Sequence, residues 1–158
     1  MNGGAKLACF LMFVTDVIAI GQVSARKLLL TESFYWNMTD KTRAWSKRFM
    51  ARKPKPPTMV QAGNYSAVLH WLKAVEATGT TDTKAVAAKM RQIRLDDMYN
   101  SDVRIREDGR VLHDMHLFEV KSPEDSTEKF DLYRHLATTA GDDAYRPLNE
   151  GRCYLSSR

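Results

Sequence analysis

An unbroken apolar run at residues 7–14 is the feature that most constrains the fold of this 158-residue chain. Gly3 and Gly4 precede the run, and Thr15 and Asp16 follow it. A short apolar run between turn-forming residues is typical of a strand buried on both faces of a parallel sheet. We therefore expect a central strand here. Because a central strand needs a neighbour on each edge, we also expect further polypeptide to precede it.

The same run has some features of a membrane or export segment, but it fits neither. It is far shorter than the ~20 apolar residues that a membrane-spanning helix needs. Lys6 alone supplies positive charge before it, Asp16 follows it closely, and no convincing small-x-small cleavage site closes it. We therefore expect no signal peptide in this chain, which makes a cytoplasmic location the alternative to export.

Capping residues, apolar spacing and helix-ending residues indicate three longer helices. They are predicted at residues 39–52, 59–78 and 81–93. Thr39 or Asp40 can cap the first of them, and a proline-rich segment ends it because proline cannot continue a helix. In the second, Tyr65, Val68 and Leu72 share one apolar face, which is the pattern of a helix packed on a core.

Strand patterns lie on both sides of these helices. Residues 28–31 predict a strand after a short helix at residues 17–26, which Gly21 weakens. Residues 103–120 predict a hairpin around an Asp-Gly turn, and residues 130–133 predict one more strand. This order predicts an α/β fold with mostly parallel sheets flanked by helices and a C-terminal hairpin.

The composition is that of a soluble globular protein with a mild positive charge. Hydrophobic residues make up 44% and charged residues 27%, and 24 Lys and Arg against 19 Asp and Glu give a net charge of +5. A basic balance favours nucleic-acid binding only where the charge is clustered. The densest basic segment, residues 47–55, follows a predicted helix and contains proline, so we interpret it as a solvated helix end and expect no nucleic-acid partner.

No residue pattern supports catalysis or a resident metal. The two cysteines, Cys9 and Cys153, match no metal-ligand spacing, and whether they pair in a disulfide is open. Asp114 and His116 lie on one face of a predicted strand, but two ligands are too few for zinc, which needs three or four. We interpret them as polar residues of a half-exposed strand. The chain is therefore not expected to be an enzyme or to hold a cofactor.

Four side chains are candidates for ligand binding. Asp16 follows the first predicted strand, where open α/β sheets bind their ligands, and its carboxylate could bind an ammonium group. It could equally cap the next helix. Tyr35 belongs to the aromatic cluster at residues 34–36, while Gln61 and Tyr65 lie near the start of the second long helix. For the two tyrosines, core packing is the favoured alternative.

Several longer strings carry a resemblance to a known family. They lie at residues 6–17, 29–36, 42–49, 57–63, 104–110, 113–115, 118–123 and 146–148. These strings resemble the substrate-binding proteins of branched-chain amino acid ABC transporters, which are type I periplasmic binding proteins. The resemblance covers nearly the whole chain from residue 6 and corresponds to the C-terminal half of the family. One departure is Lys27, which stands where the family pattern has a glycine before the Leu-Leu-Leu strand.

The resemblance implies part of a fold with two α/β lobes and a ligand in the cleft between them. In that arrangement, residues 1–32 finish the second lobe. Residues 33–116 form the hinge and part of the first lobe. Residues 117–158 supply the strand that crosses back to the second lobe and a C-terminal tail.

The resemblance also implies a function without chemistry or cofactor. Such receptors bind amino acids or related small carboxylic acids in the periplasm and present them to the membrane subunits of an ABC permease. An acidic residue near the position of Asp16 would hold the ligand amino group, while Tyr35, Gln61 and Tyr65 would border the hinge or cleft. Because the first half of the family pattern is missing, we expect the chain to need that N-terminal half. The alternative is a small non-catalytic α/β protein that acts by self-association or with a partner chain.

Overall fold

The computed structural model describes residues 5–150. These residues form two compact units, which are described separately below. Unit 1 comprises Met1–Val60 and Met115–Thr139, and unit 2 comprises Gln61–Asp114 and Ala140–Arg158. Cys153 lies outside the described residues. The assignment of residues 1–32, 33–116 and 117–158 to receptor lobes stays a prediction.

Unit 1 is built on a sheet whose four strands follow one another in chain order. The strands are β1 (Ala8–Cys9), β2 (Leu29–Glu32), β3 (Met115–Val120) and β4 (Tyr133–Thr139). β1 and β2 are parallel, whereas β2 pairs antiparallel with β3 and β3 pairs antiparallel with β4. The expected α/β class is confirmed. The antiparallel hairpin of the structure is formed by β3 and β4, whereas the hairpin predicted at residues 103–120 is reduced to one isolated bridge, Ile105–Val111. The expectation of mostly parallel sheets is wrong for the described residues, because the hairpin connection of β3 and β4 imposes antiparallel pairing.

The N-terminal apolar run does not form the buried strand that its composition predicts. β1 contains only two residues, and Leu7, Phe10 and Leu11 are 63%, 101% and 74% exposed. Within residues 5–150, β1 has a hydrogen-bonded neighbour only in β2, so little protein covers these side chains. The buried part of the run begins at Met12 and continues with Val14, the first residue of a helix.

Two short helices and an unusual lysine connect β1 to β2. α1 (Val14–Ile20) and α2 (Gln22–Ala25) are separated at Gly21, whose φ is 90°. The prediction that Gly21 weakens a helix here is therefore confirmed. Lys27 has a φ of 65°, in the left-handed region that favours glycine.

The three longer helices lie where their sequence signals predict. α3 spans Asp40–Met50, α4 spans Met59–Thr78 and α5 spans Thr83–Gln92. The Thr39 side chain accepts a hydrogen bond from the N–H of Thr42 (3.1 Å), and Asp82 accepts one from Ala85 (2.9 Å). The basic segment after α3 is exposed from residue 51 to residue 55, which confirms its interpretation as a solvated helix end.

The aromatic cluster at residues 34–36 forms the core of unit 1. Phe34, Tyr35 and Trp36 are 1%, 4% and 1% exposed. The indole N–H of Trp36 and the hydroxyl of Tyr35 both donate to the carbonyl of Phe130, at 2.9 and 2.8 Å. Tyr35 also stacks on Tyr133 with ring centroids 4.6 Å apart. Core packing, the favoured interpretation of the cluster, is confirmed.

Unit 2 contains most of α4, all of α5 and a loop region closed by two isolated bridges, Leu95–Val103 and Ile105–Val111. The Asp-Gly turn is present, and Gly109 has a φ of 84°. The predicted strand over residues 111–120 is shorter than expected, since regular pairing begins only at Met115. A final short helix, α6 (Gly141–Ala144), belongs to unit 2.

The buried face of α4 is not the one that its apolar spacing predicts. Ala62, Ser66, His70 and Ala74 are buried, whereas Val68 and Leu72 are 58% and 50% exposed. Two of the buried residues, Ser66 and His70, form hydrogen bonds with later segments of unit 2. Ser66 donates to Asp97 (2.5 Å), and His70 Nε2 lies 2.8 Å from the carbonyl oxygen of Met90. No helix within residues 5–150 is long and apolar enough to cross a membrane.

Candidate ligand-binding site

A buried acid closes the carboxyl end of β2 in unit 1. Glu32 is the last residue of that strand and is only 1% exposed. The hydroxyl of Tyr133, on β4, donates to Glu32 Oε1 at 3.2 Å. The backbone N–H groups of Val14 and Met59, the first residues of α1 and α4, also face the carboxyl and favour its ionised form. The strand end thus lies against the beginnings of two helices.

The environment of Glu32 keeps its carboxyl neutral. Burial raises the pKa of Glu32 to about 8, and this effect outweighs the hydrogen bonds from Tyr133, Met59 and Val14. The negative charge of Asp16 contributes a further increase in the pKa. Glu32 Oε2 is buried and has no hydrogen-bond partner among the described residues. Leaving a buried oxygen unpaired is energetically costly, so such atoms are few in folded proteins.

Asp16 is an exposed residue in the first turn of α1. Its Oδ2 accepts a hydrogen bond from the backbone N–H of Phe13 at 2.8 Å. The helix-capping interpretation of Asp16 is therefore confirmed, while ligand binding stays a prediction. The capping bond uses one carboxylate oxygen, and an acid in the first helical turn is also favoured by the helix dipole.

The Tyr35 hydroxyl already forms two hydrogen bonds within the chain. That hydroxyl donates to the carbonyl of Phe130 and accepts from the N–H of Leu132 (2.9 Å). Burial raises the pKa of Tyr35, so the group stays neutral. Its ring also contributes to the wall of a cavity of about 480 Å³ in unit 1. Any ligand contact of Tyr35 would therefore be made by the ring.

The other walls of that cavity combine aromatic and charged groups. Phe118 stacks on Tyr133 with ring centroids 5.4 Å apart. Lys121 and Asp131 form an ion pair of 2.7 Å, and the hydroxyl of Thr127 also donates to the carboxylate of Asp131. Burial raises the pKa of Asp131, but the bonds from Lys121 and Thr127 outweigh it and the net shift is downward. Both charges in this wall are thus already paired.

Gln61 and Tyr65 lie in unit 2, on the first turns of α4. They are four residues apart, so they share one side of the helix, and both are exposed, Tyr65 to 40%. Asp16 and Tyr35 belong instead to unit 1, and Tyr133 of the same unit interacts with both of them. The Tyr133 ring stacks on the Tyr35 ring, the Tyr133 hydroxyl donates to Glu32, and the charge of Asp16 raises the pKa of Tyr133.

A smaller cavity of about 300 Å³ in unit 2 is lined by residues 108–111 together with His113 and Tyr145. The Tyr145 hydroxyl lies 2.9 Å from His113 Nδ1, and the Arg110 guanidinium lies 5.1 Å from the centre of the Tyr145 ring. Burial lowers the pKa of His113, which favours the neutral imidazole. Within residues 5–150, no group of three or more His, Cys, Asp or Glu side chains could hold a metal ion. Asp114 Oδ1 accepts a hydrogen bond from the N–H of Gly141 (2.9 Å).

Glu32 and Tyr133 are candidate site residues that sequence reasoning missed. The signal for Glu32 was present, because an acid at the end of an apolar strand stands where open α/β sheets place ligands. Tyr133 carried no such signal. It lies 101 residues from Glu32 in the chain, and only the antiparallel pairings of β2, β3 and β4 bring the two side chains together.

Comparison with known proteins identifies the family of this fold. A family model described as periplasmic binding protein matches residues 1–127. The chain therefore belongs to the periplasmic binding protein family, and its structure is a partial type I fold of that family.

Two solved structures are similar in both sequence and fold. A periplasmic binding protein from Burkholderia mallei is 43% identical with a TM-score of 0.88, over 92% of this chain and 38% of its own. A branched chain amino acid ABC transporter periplasmic ligand-binding protein from Burkholderia xenovorans LB400 is 41% identical with a TM-score of 0.87, over 92% of this chain and 39% of its own.

A more distant structure shares the fold alone. It is an amino acid ABC transporter substrate-binding protein from Pseudomonas fluorescens Pf-5, which is 18% identical with a TM-score of 0.74 over 92% of this chain. The chain spans 38% and 39% of the length of the two Burkholderia proteins. No protein of curated function matches it.

Proposed function

We propose that this chain is part of a solute receptor of an ABC importer, and that the parent receptor binds amino acids or related small carboxylic acids. The observation that carries the proposal is the 41% identity, over 92% of this chain, with a branched chain amino acid ABC transporter ligand-binding protein. The receptor works in the periplasm with the membrane subunits of its permease. It performs no chemistry and needs no cofactor.

In this proposal four side chains of this chain contribute to ligand binding by the parent receptor. Asp16 binds the ligand ammonium group with the carboxylate oxygen that does not cap α1. Tyr35 contributes its ring, and Gln61 and Tyr65 contribute polar groups from the first turns of α4. Residues 1–32 finish the second lobe, residues 33–116 supply the hinge and part of the first lobe, and residues 117–158 return to the second lobe. The missing N-terminal half of the receptor is the expected partner of this arrangement.

Thermal unfolding followed by circular dichroism tests this function. L-leucine, L-isoleucine and L-valine are added separately, each beside its analogue without the amino group. We expect one amino acid to raise the unfolding temperature, since a ligand at ~100 times its Kd stabilises the native state by about 2.7 kcal/mol. If none of the amino acids and none of the analogues shifts the transition, ligand binding by this chain without the N-terminal half is contradicted.

The variant Asp16→Asn separates the binding role of Asp16 from its capping role. Asparagine keeps an oxygen that can accept from Phe13, but it removes the charge that an ammonium group would bind. We expect the response to the amino acid to weaken while the response to the deaminated analogue is retained. Asp40→Asn is the matched control, because Asp40 is also an exposed acid in the first turn of a helix. Equal effects of the two variants would remove Asp16 from the binding site.

A further inference from the structure

Three polar side chains of unit 1 converge on one face of the hairpin formed by β3 and β4. The hydroxyl oxygen of Thr138, on β4, lies 2.9 Å from Nδ1 of His116 on β3. It also lies 2.9 Å from Nε2 of His135 on its own strand, and the two imidazole rings are 5.5 Å apart at their centres. All three residues line the cavity of about 480 Å³ in unit 1. None of the four side chains proposed to bind the solute belongs to this cluster.

A β-bulge in β4 brings the second imidazole to this face. The register of β4 against β3 shifts at Leu136, which is skipped in the pairing of the two strands. His135 and Thr138 are three residues apart, so in a regular strand they would face opposite sides of the sheet. With the bulge, His135 pairs with Phe118 and lies on the same side as Thr138. Bulges are common at sheet edges and beside functional sites, where they redirect a side chain.

The spacing of these atoms fits neighbouring ligands around a metal ion. Bonds from imidazole nitrogen to zinc are about 2.0–2.1 Å long, and ligands at right angles on such bonds are about 2.9 Å apart. The two contacts of the Thr138 oxygen have this length, which also suits the hydrogen bonds that hold the cluster without metal. The hydroxyl has one proton, so it donates to one imidazole and accepts from the other. One nitrogen thus already directs a lone pair at the site, and the other can do so once its proton moves to the second nitrogen of its ring.

We propose that His116, His135 and Thr138 form a binding site for copper(II). Among the first-row divalent metals, copper(II) binds nitrogen and oxygen ligands most tightly, and imidazole is one of its preferred ligands. Its tetragonal geometry needs ligands at right angles, which the two imidazoles and the hydroxyl supply. Water fills the remaining positions, because His135 and Thr138 are exposed to solvent. Zinc binds more weakly here, since it needs three or four protein ligands.

The surroundings of the cluster suit a bound cation. The positive side chain that lines the same cavity is Lys121, and its charge is paired with Asp131 at 2.7 Å. The Phe118 ring packs against both imidazoles, with centroid distances of 6.0 and 5.6 Å, and so limits their rotation. Ligands that are held in place by packing and carried on strands bind a metal more precisely than mobile ones do. This site is independent of the proposed function, because copper binding here involves none of the residues proposed to bind the solute.

Pulsed electron paramagnetic resonance of the untagged 158-residue chain, with less Cu²⁺ than protein, tests the site. The method counts coordinated imidazoles through the signal of the ring nitrogen that does not bind the metal. We expect two imidazoles on the copper ion. A spectrum that shows one imidazole or none would overturn the proposal. Because this measurement uses the wild-type chain, it does not depend on the folding of any variant.

Replacement of single histidines identifies the ligands. We expect His116→Gln and His135→Gln each to leave one imidazole on the ion and to weaken Cu²⁺ binding at least about tenfold, as measured by calorimetry in a non-coordinating buffer. His113→Gln is the matched control, because that imidazole lies in unit 2 beside Tyr145, and it should change neither measurement. The cysteines are the same in all four proteins, so any copper that they bind does not affect the comparison. If His113→Gln weakens binding as much as the other two variants do, copper binds elsewhere and the proposal fails.

Discussion

Glu32 makes the stability of the chain depend on pH. Its pKa is about 8 in the folded chain and 4.5 in a model peptide, so between these values the folded state holds a proton that the unfolded state has lost. The contribution of Glu32 to the free energy of unfolding is therefore fully present below about pH 4.5. It decreases as pH rises to about 8, by about 1.4 kcal/mol per pH unit. For a carboxylate stabilised by an ion pair, stability would instead increase as pH rises.

Glu32→Gln should remove that dependence. The amide carbonyl can still accept from Tyr133, but the side chain has no charge to bury at any pH. We expect the variant and the wild type to have similar free energies of unfolding at about pH 4.5, and the variant to be the more stable at about pH 8. Urea denaturation at several pH values measures the difference. A pH-independent difference between the two proteins would show that Glu32 does not carry a raised pKa.

At the scale of single elements, two glycines of unit 2 should respond to alanine in opposite directions. A Cβ at Gly141, in α6, would lie 2.2 Å from the carbonyl oxygen of Leu112, whereas a Cβ at Gly63, in α4, would meet only the Tyr99 ring at 3.9 Å. We expect Gly141→Ala to destabilise the chain by about 1–3 kcal/mol through overpacking. Gly63→Ala should stabilise it by up to about 1 kcal/mol, because alanine is the better helix former.

Chemical denaturation of the two alanine variants measures both effects. Each variant is the control for the other, since the same methyl group is added in the same unit. Equal stabilities would mean that α6 moves away from residue 112 at little cost, which would contradict the close packing of Gly141.

Elements were predictable where their signals are local. The ends of α3, α4 and α5 follow from Thr39, Asp82, the prolines before α4 and Gly79, all of which lie next to the residues that they affect. Such signals depend on a few neighbouring residues and on no distant contact.

Features that depend on distant partners were not predictable. The direction of β3 against β2 is set by pairing across about ninety residues of chain, for example of Leu30 with Phe118. The buried face of α4 is set by hydrogen bonds of Ser66 and His70 to later segments, and these outweigh apolar spacing. The same holds for the site, where the burial of Glu32 depends on Tyr133 and Met59.

At the scale of the whole molecule, each unit presents apolar side chains to solvent. In unit 1 these are Leu7, Phe10 and Leu11 beside β1. In unit 2, Val68, Trp71 and Leu72 of α4 are 58%, 42% and 50% exposed, while the helix buries smaller residues. In α/β folds, a helix normally covers a sheet with its large apolar residues. Exposed apolar patches of this kind favour association between protein surfaces.

The exposed face of α4 should therefore make the isolated 158-residue chain self-associate. The double variant Val68→Lys and Leu72→Glu replaces two apolar residues of this face with charged ones. The two charges are opposite and lie four residues apart, a spacing at which such a pair is favourable on a helix. We expect the weight-average mass in sedimentation to rise with concentration for the wild type and to rise less for this variant. Ala67→Lys with Ala77→Glu is the control, because both alanines are exposed on the same helix but add little apolar surface. If both double variants associate as the wild type does, α4 is not the associating surface, and the residues beside β1 are the next to replace.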